Sequence, residues 1–341
     1  MANTPEYIET TVVSTRLRLA RNLRAYPFPA KLQPRQAEDV IRLVGNALSE
    51  LDDGFKEYRM GRIEKQEALL LQEQHLLSPA LIEKGNGAAA FVSSDRHVSV
   101  MVNEEDHLRE QYILKGFDLY KAFERVNGLD EGIACRLSFA YDEKLGFLTA
   151  CPSNVGTGMR ASVLMFLPGL EKTNRLQELL PSLKAAGLTV RGMFGEGTRA
   201  EGYSYQISNE RTLGLKEKDI LDQMVKVAVN VCGLEHRARE KLLRENRVKW
   251  LDECLRAYGT LTNCAVLPLK ELAENMVKIQ LGLALGFFRA SSANDFNDFL
   301  ADMRPASFRI ENDLVNASEY ECDLERAQIV GRVLPELVVR E

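Results

Sequence analysis

The 341-residue chain is 45% hydrophobic and 27% charged, enough apolar material for one large domain or two of moderate size. Its 44 Lys and Arg against 49 Asp and Glu leave a net charge of −5, which disfavours general attraction to nucleic acid or an anionic membrane but allows a locally basic pocket. The longest apolar run, Leu281 to Phe288, is far short of the roughly 20 residues that span a bilayer, and MANTPEYIET lacks a signal-peptide pattern, so a cytoplasmic protein is expected.

Taken along the chain, short β-like stretches alternate with helical ones from residue 10 to about 240, and nearly every later periodic segment reads as helix. This change predicts a division into 1–238 and 239–341. Val98, Val100 and Val102 alternate along a strand with one buried face, which places Met101, Asn103 and Glu105 on the other. Cys135 to Tyr141 and Leu145 to Cys151 read as two strands of a hairpin joined by Asp142-Glu143-Lys144, with Cys151 closing the second. Val248, Leu251, Leu255 and Tyr258 form a helical stripe that stops at Gly259. Pro268 opens a further helix, and Ser318 to Leu334 forms a last one in a small bundle.

Six dispersed cysteines without a CxxC pair, and four histidines without an HxxxH pair, argue against a disulfide scaffold, structural zinc or a histidine-based metal centre. Arginine offers a permanent charge and a planar fork of donors. Arg16 and Arg18 in STRLR, Arg109 in NEEDHLR, Arg160 in CPSNVGTGMR and Arg191 in VRGMFGEG would suit a polyphosphate if they converged. The glycines of NVGTG and RGMFGEG read equally as plain turns or as points of close backbone approach to phosphate. No GxxxxGK[ST] loop and no HRD/DFG pair is present. Glu105 and Glu196 stand beside two of the arginine motifs, and a pair of carboxylates can grip and orient a guanidinium.

Four of these segments, STRLRLARNLRAYPFP, MVNEEDHLR, CPSNVGTGMRAS and RGMFGEGTRAEGYSYQISN, closely resemble in order and spacing the signatures of the phosphagen (guanidino) kinase family. The resemblance implies an α+β fold: a catalytic domain built on a large antiparallel β-sheet flanked by helices, here followed by a C-terminal helical bundle for dimerisation and regulation. It implies transfer of the γ-phosphoryl group of ATP, with Mg²⁺, to a guanidine nitrogen. At matching positions it assigns nucleotide contacts to Ser14, Thr15, Arg16, Leu17 and Arg18, to His75 near the adenine, and to Arg109. It adds Arg160 with the following Ala161, Ser162, Val163 and Leu164, and Arg191 with Gly192. Glu105 and Glu196 match the carboxylates that hold the guanidinium, and Cys151 the active-site cysteine, a source of negative charge rather than a covalent nucleophile.

Small-substrate members carry a helical domain before the STR motif, whereas 13 residues precede Ser14 here and the helical part follows, an arrangement similar to that of the bacterial protein-arginine kinases. A protein arginine is therefore the expected acceptor; a kinase of free arginine or another small guanidino metabolite, and an inactive phosphoarginine-binding adaptor, are the alternatives. The resemblance further implies a homodimer, a zinc-binding activator protein, and phosphoarginine marking for a Clp-type protease in the stress response. The RDxxRA motif of that branch is altered to Cys322-Asp323-Leu324-Glu325-Arg326-Ala327, which puts phosphoarginine binding there in doubt.

Overall fold

The two periodicities of the chain, 2 and 3.6, resolve into one large sheet with helices on both faces and a helical tail. The computed structural model describes residues 6–51, 53–192 and 201–341. After α1 (Glu6–Glu9), the alternating VVSTRLRLAR forms β1 (Val12–Arg21). Pro34, pre-set for a first helical position, opens α2 (Pro34–Ser49), whose Val40, Ile41, Val44 and Leu48 make one buried stripe. There follow β2 (Lys56–Arg59), α3 (Lys65–Glu73), α4 (Pro79–Lys84), β3 (Ala89–Val92), β4 (Val98–Val102), β5 (Leu108–Lys115) and α5 (Leu119–Ala134). Next come β6 (Tyr141–Asp142), β7 (Gly146–Phe147), β8 (Met159–Phe166), α6 (Pro168–Lys172), α7 (Arg175–Ala185), β9 (Leu188–Gly192) and β10 (Ser204–Asn209). The remainder is α8 (Glu217–Asn263), α9 (Leu269–Ala284), β11 (Phe288–Ala290), α10 (Ala293–Asp302), α11 (Pro305–Glu311), α12 (Glu319–Leu337) and β12 (Val338–Arg340).

The sheet has eight strands in the order β2-β3-β4-β5-β1-β8-β10-β9, antiparallel at every pairing. The expected α+β architecture is the observed one. Alternation sends Leu17, Leu19, Val100, Ala161, Val163 and Ile207 to one face, where they form the main core with α2, α5 and the first part of α8. On the other face, Tyr58, Ala90, Val92 and Met101 are covered by Leu71, Leu76, Leu77 and Leu81 from α3, α4 and the turn between them. That cover reaches only the β2–β4 end, leaving the strands around β1 and β8 free for polar side chains. A separate core fills the tail.

Several expectations are corrected. The hairpin is far shorter than Cys135–Cys151: Cys135 ends α5, only Tyr141–Asp142 pairs with Gly146–Phe147, and Cys151 leads into a 3-10 turn at Pro152–Asn154. Asp142 Oδ1 accepts the Lys144 and Leu145 N–H groups to close the turn, and Pro152 has no N–H for a ladder. Strand β4 is buried on both faces because α3 and α4 cover its second side, and Glu105 lies beyond the strand, in a turn begun by Asn103 at φ 62°. The helix expected to stop at Gly259 runs on to Asn263. Residues 238 and 239 both lie within α8, which leaves helical geometry further on, at Asn246 (φ −159°, ψ 70°). There the Asn246 Oδ1 accepts the Lys249 N–H at 3.1 Å and so caps the second stretch.

Candidate active site

Strand register decides which arginines meet. Arg18 stands opposite Arg160 on one side and Gln111 on the other, Arg16 opposite Ser162, and Ala20 opposite Arg109. Beyond β8, Ser208 pairs with Ser162 and Arg191 with Gln206. Since residues two apart share a face, Arg16, Arg18, Arg109, Arg160 and Arg191 all rise from the face opposite the main core. Ser14 and the half-buried Leu164, paired with each other, lie on it too. Thr15, Leu17, Ala161 and Val163 point the other way, into the core; Thr15 Oγ1 donates to the Gly116 carbonyl at 2.8 Å. They hold the platform rather than extend from it.

The cluster is electrostatically unsatisfied. Burial, then Arg109 and Arg160, lower the Arg16 pKa to about 10. Burial, with Arg16, Arg109 and Arg160, holds Arg18 well below the ordinary arginine range, opposed only by Glu104. Burial and Arg191 lower Arg160, while Glu210 and Cys151 raise it. Among the described residues, Nε of Arg16, Arg18, Arg109 and Arg160 is buried without a hydrogen-bond partner. Cations held together out of water cost free energy until an anion arrives. A polyphosphate would supply both the charge and the acceptors.

At one border of this face lies the β4–β5 turn. Arg109 Nη1 donates to both carboxylate oxygens of Glu104, at 2.8 and 2.6 Å, so Glu104 is its ion-pair partner, a residue the sequence reading passed over. Glu105, next along the turn, is exposed. Its carboxyl is pushed up by partial burial, Asp106 and Glu104, and pulled back by Arg109 and a hydrogen bond with Cys151. Buried Asp106 makes that meeting: its Oδ1 accepts from Asn22 Nδ2 and from the Ala150 N–H, each at 2.6 Å, tying the turn to the segment that carries Cys151. Cys151 Sγ lies 3.0 Å from Ser153 Oγ. His107 fixes the same corner: its Nδ1 accepts the Leu23 N–H at 3.0 Å, and Nε2 lies 3.0 Å from the Pro27 carbonyl. Burial lowers its pKa to about 4.

His75 sits past α3 in a left-handed conformation (φ 60°), its pKa lowered to about 4 by burial, Arg304 and Arg16. Gln111 Nε2 donates to its carbonyl. Ser208 was also missed; its Oγ accepts from Arg160 Nη2 at 3.1 Å, and the polar alternation Ser204, Gln206, Ser208 was the available signal. The NVGTG glycines answer backbone crowding: a Cβ on Gly156 (φ +115°) would lie 2.5 Å from the Thr212 carbonyl oxygen, and one on Gly158 (φ +64°) 2.7 Å from that of Ala20. Gly192 ends β9 beside Arg191. Glu196 and the RGMFGEG glycines after Gly192 lie outside the described residues.

Among the described residues, no three His, Cys, Asp or Glu side chains gather as a metal site, and no helix is long and apolar enough to cross a membrane. Residues 37–238 match the profile of the ATP:guanido phosphotransferase C-terminal catalytic domain, and 247–339 that of the protein-arginine kinase McsB C-terminal domain. A protein-arginine kinase of Caldanaerobacter subterraneus subsp. tengcongensis is 38% identical over 333 residues, covering 96% of this chain and 98% of that one. One from Bacillus velezensis is 40% identical over 298 residues, 86% of this chain and 82% of its own. Among solved structures, the substrate-free duplicated taurocyamine kinase of Schistosoma mansoni superposes with a TM-score of 0.61 at 28% identity, over 72% of this chain and 36% of that one. With an arginine face bordered by an acidic turn, a catalytic-domain match over 37–238 and a relative 38% identical over 96% of its length, the chain belongs to the ATP:guanido phosphotransferase family.

Proposed function

We propose that the protein transfers the γ-phosphoryl group of ATP to arginine side chains of other proteins. The observation that carries the reading is the set of buried guanidinium nitrogens on one sheet face that have no partner among the described residues, with Glu105 and Cys151 together at its border. Arg16, Arg18, Arg109, Arg160 and Arg191 hold the phosphates, and His75, Ser14 and Leu164 bound the rest of the nucleotide. Mg²⁺ supplies neutralisation of the phosphate oxygens and is carried mainly by the nucleotide, as suits a cation that keeps several waters.

A guanidinium, which stays protonated throughout the ordinary pH range, is no nucleophile until it gives up a proton. Glu105, its carboxyl raised from the usual range, takes that proton as general base, and Glu196 completes the grip that aims the nitrogen at phosphorus. Cys151 places its sulfur beside the same acceptor. Positioning and charge neutralisation then do most of the work, because in-line phosphoryl transfer asks little covalent chemistry of the protein. A protein acceptor is supported by the names of the relatives, which match nearly the whole chain. We further propose residues 1–238 as the catalytic unit and 239–341 as a dimerising, regulatory one. The proposal extends to a cytoplasmic homodimer that marks proteins for a Clp-type protease in the stress response, with a zinc-binding activator protein as partner.

Incubation with ATP, Mg²⁺ and an unfolded arginine-rich protein is expected to yield acid-labile phosphoarginine detectable by mass spectrometry. Rapid turnover of free arginine without protein labelling would instead select the small-substrate reading. Tight binding of a phosphoarginine peptide without any transfer would select the adaptor. Glu105→Gln and Glu196→Ala are each expected to abolish transfer while leaving nucleotide affinity within about two-fold, whereas Arg160→Ala weakens both.

A further inference from the structure

Glu73 joins the arginine face to the helical tail, alongside the Lys115–Asp298 ion pair that links β5 to α10. Glu73, last residue of α3, accepts the Ala306 N–H at 2.8 Å with Oε1, and with Oε2 the Ser307 N–H at 3.0 Å and the Ser307 hydroxyl at 3.2 Å. Its main-chain carbonyl accepts from Arg304 Nη1. One glutamate thus caps α11 across more than 200 residues of sequence. Two positions later His75 turns through its left-handed conformation, its carbonyl held by Gln111, and Gln111 is the cross-strand neighbour of Arg18. Hydrogen bonds therefore run from the sheet face through Gln111 and the 73–75 turn into the tail. Arg304, which belongs to the tail, lies close enough to His75 to act on it together with Arg16.

We propose that Glu73 is a positioning residue for the nucleotide, and that the tail, through α11 and Arg304, sets the place of the His75 turn against the arginine face. The inference rests on the reading of that face as the nucleotide site. It makes the tail a determinant of nucleotide affinity without a tail residue carrying out phosphoryl transfer. Freed from α11, the 73–75 turn keeps Gln111 on the His75 carbonyl, Arg96 on the Gln74 side chain and its backbone bonds to α3, but it loses its tie to the tail and samples more conformations; the nucleotide must then order it on binding.

The test uses the full chain with MgADP as probe. Glu73→Ala and Arg304→Ala, each verified as folded by circular dichroism, are expected to weaken MgADP binding about five-fold or more, the lower range of ordinary coupling between sites, with kcat at saturating ATP nearly unchanged. The double variant should lose no more than the worse single one, because both break the same joint, and Glu73→Gln, which keeps one acceptor oxygen, should recover part of the affinity. Wild-type MgADP affinity in the folded single variants, or losses that simply multiply in the double one, would overturn the joint. A wild-type chain that binds no MgADP strikes the reading of the site instead. Amide hydrogen exchange at residues 74–77 then decides separately: faster exchange in Glu73→Ala supports the joint, and unchanged exchange removes it.

Discussion

Two acidic side chains five positions apart illustrate how burial assigns a role. Glu105, at the rim, is raised by partial burial and the acids beside it, and in its proposed role as general base it must be ionised to act. Protonation in acid therefore removes activity: the acid limb of kcat/KM should lie above the pH at which an ordinary glutamate titrates, near 4.3. A pH–rate profile checks this, and an acid limb at or below that value would contradict the base. Glu110, buried beneath the sheet against Asp130, is held well above the carboxylate range by desolvation and by that neighbour, with Arg21 offsetting only in part. The folded state then binds a proton the unfolded chain gives up above about pH 4.3, so stability falls as pH rises toward the folded pKa. Glu110→Gln, neutral throughout, should flatten that decline and melt higher than the natural chain at pH 8. Equal melting curves across pH 5 to 8 would show that Glu110 is ionised in the fold.

Among elements, α8 ties the most together. Glu235 accepts the Gly169 and Leu170 N–H groups, each at 2.8 Å, and Arg239 Nε at 2.7 Å, while Arg239 reaches Thr10 and the Phe166 carbonyl. Both side chains are almost wholly buried, so Arg239→Ala strands a carboxylate and should cost about 3–5 kcal/mol in denaturant unfolding; a loss below 1 kcal/mol would show that water satisfies it. Legibility follows the same scale. Helices α2, α9 and α12 announce themselves through an apolar stripe and a start signal at Pro34, Pro268 or Ser318. Strand partners do not, because nothing local to STRLR states that Arg18 will face Arg160 rather than some other polar residue. The resemblance supplied that grouping. Glu104 and Ser208 escaped because each matters only through a partner fixed by register. The Cys135–Cys151 hairpin failed for the opposite reason: apolar alternation was present, but residues 138–140 bond to 22–24, just past β1, and only Tyr141–Asp142 meets Gly146–Phe147.

At the level of the whole molecule, the main core of the sheet and the core of the tail share no buried residue, and α8 passes from one to the other through its break at Asn246. Calorimetry should therefore resolve two transitions, and Glu73→Ala should separate them further by loosening a bond between the halves. A single transition with equal calorimetric and van't Hoff enthalpies would mean that the connection dominates. Beyond the break lies the one tryptophan of the chain, Trp250. Lys249 from its own helix and Lys172 from α6 each bring an ammonium 4.5 Å from its ring, and Lys172 also lies 5.0 Å from the ring of Tyr203. Because one of those lysines travels with the sheet and the other with the tail, the indole is a built-in optical gauge. A change in its emission colour or intensity in unlabelled protein, as nucleotide is added drop by drop, would report a change in that packing.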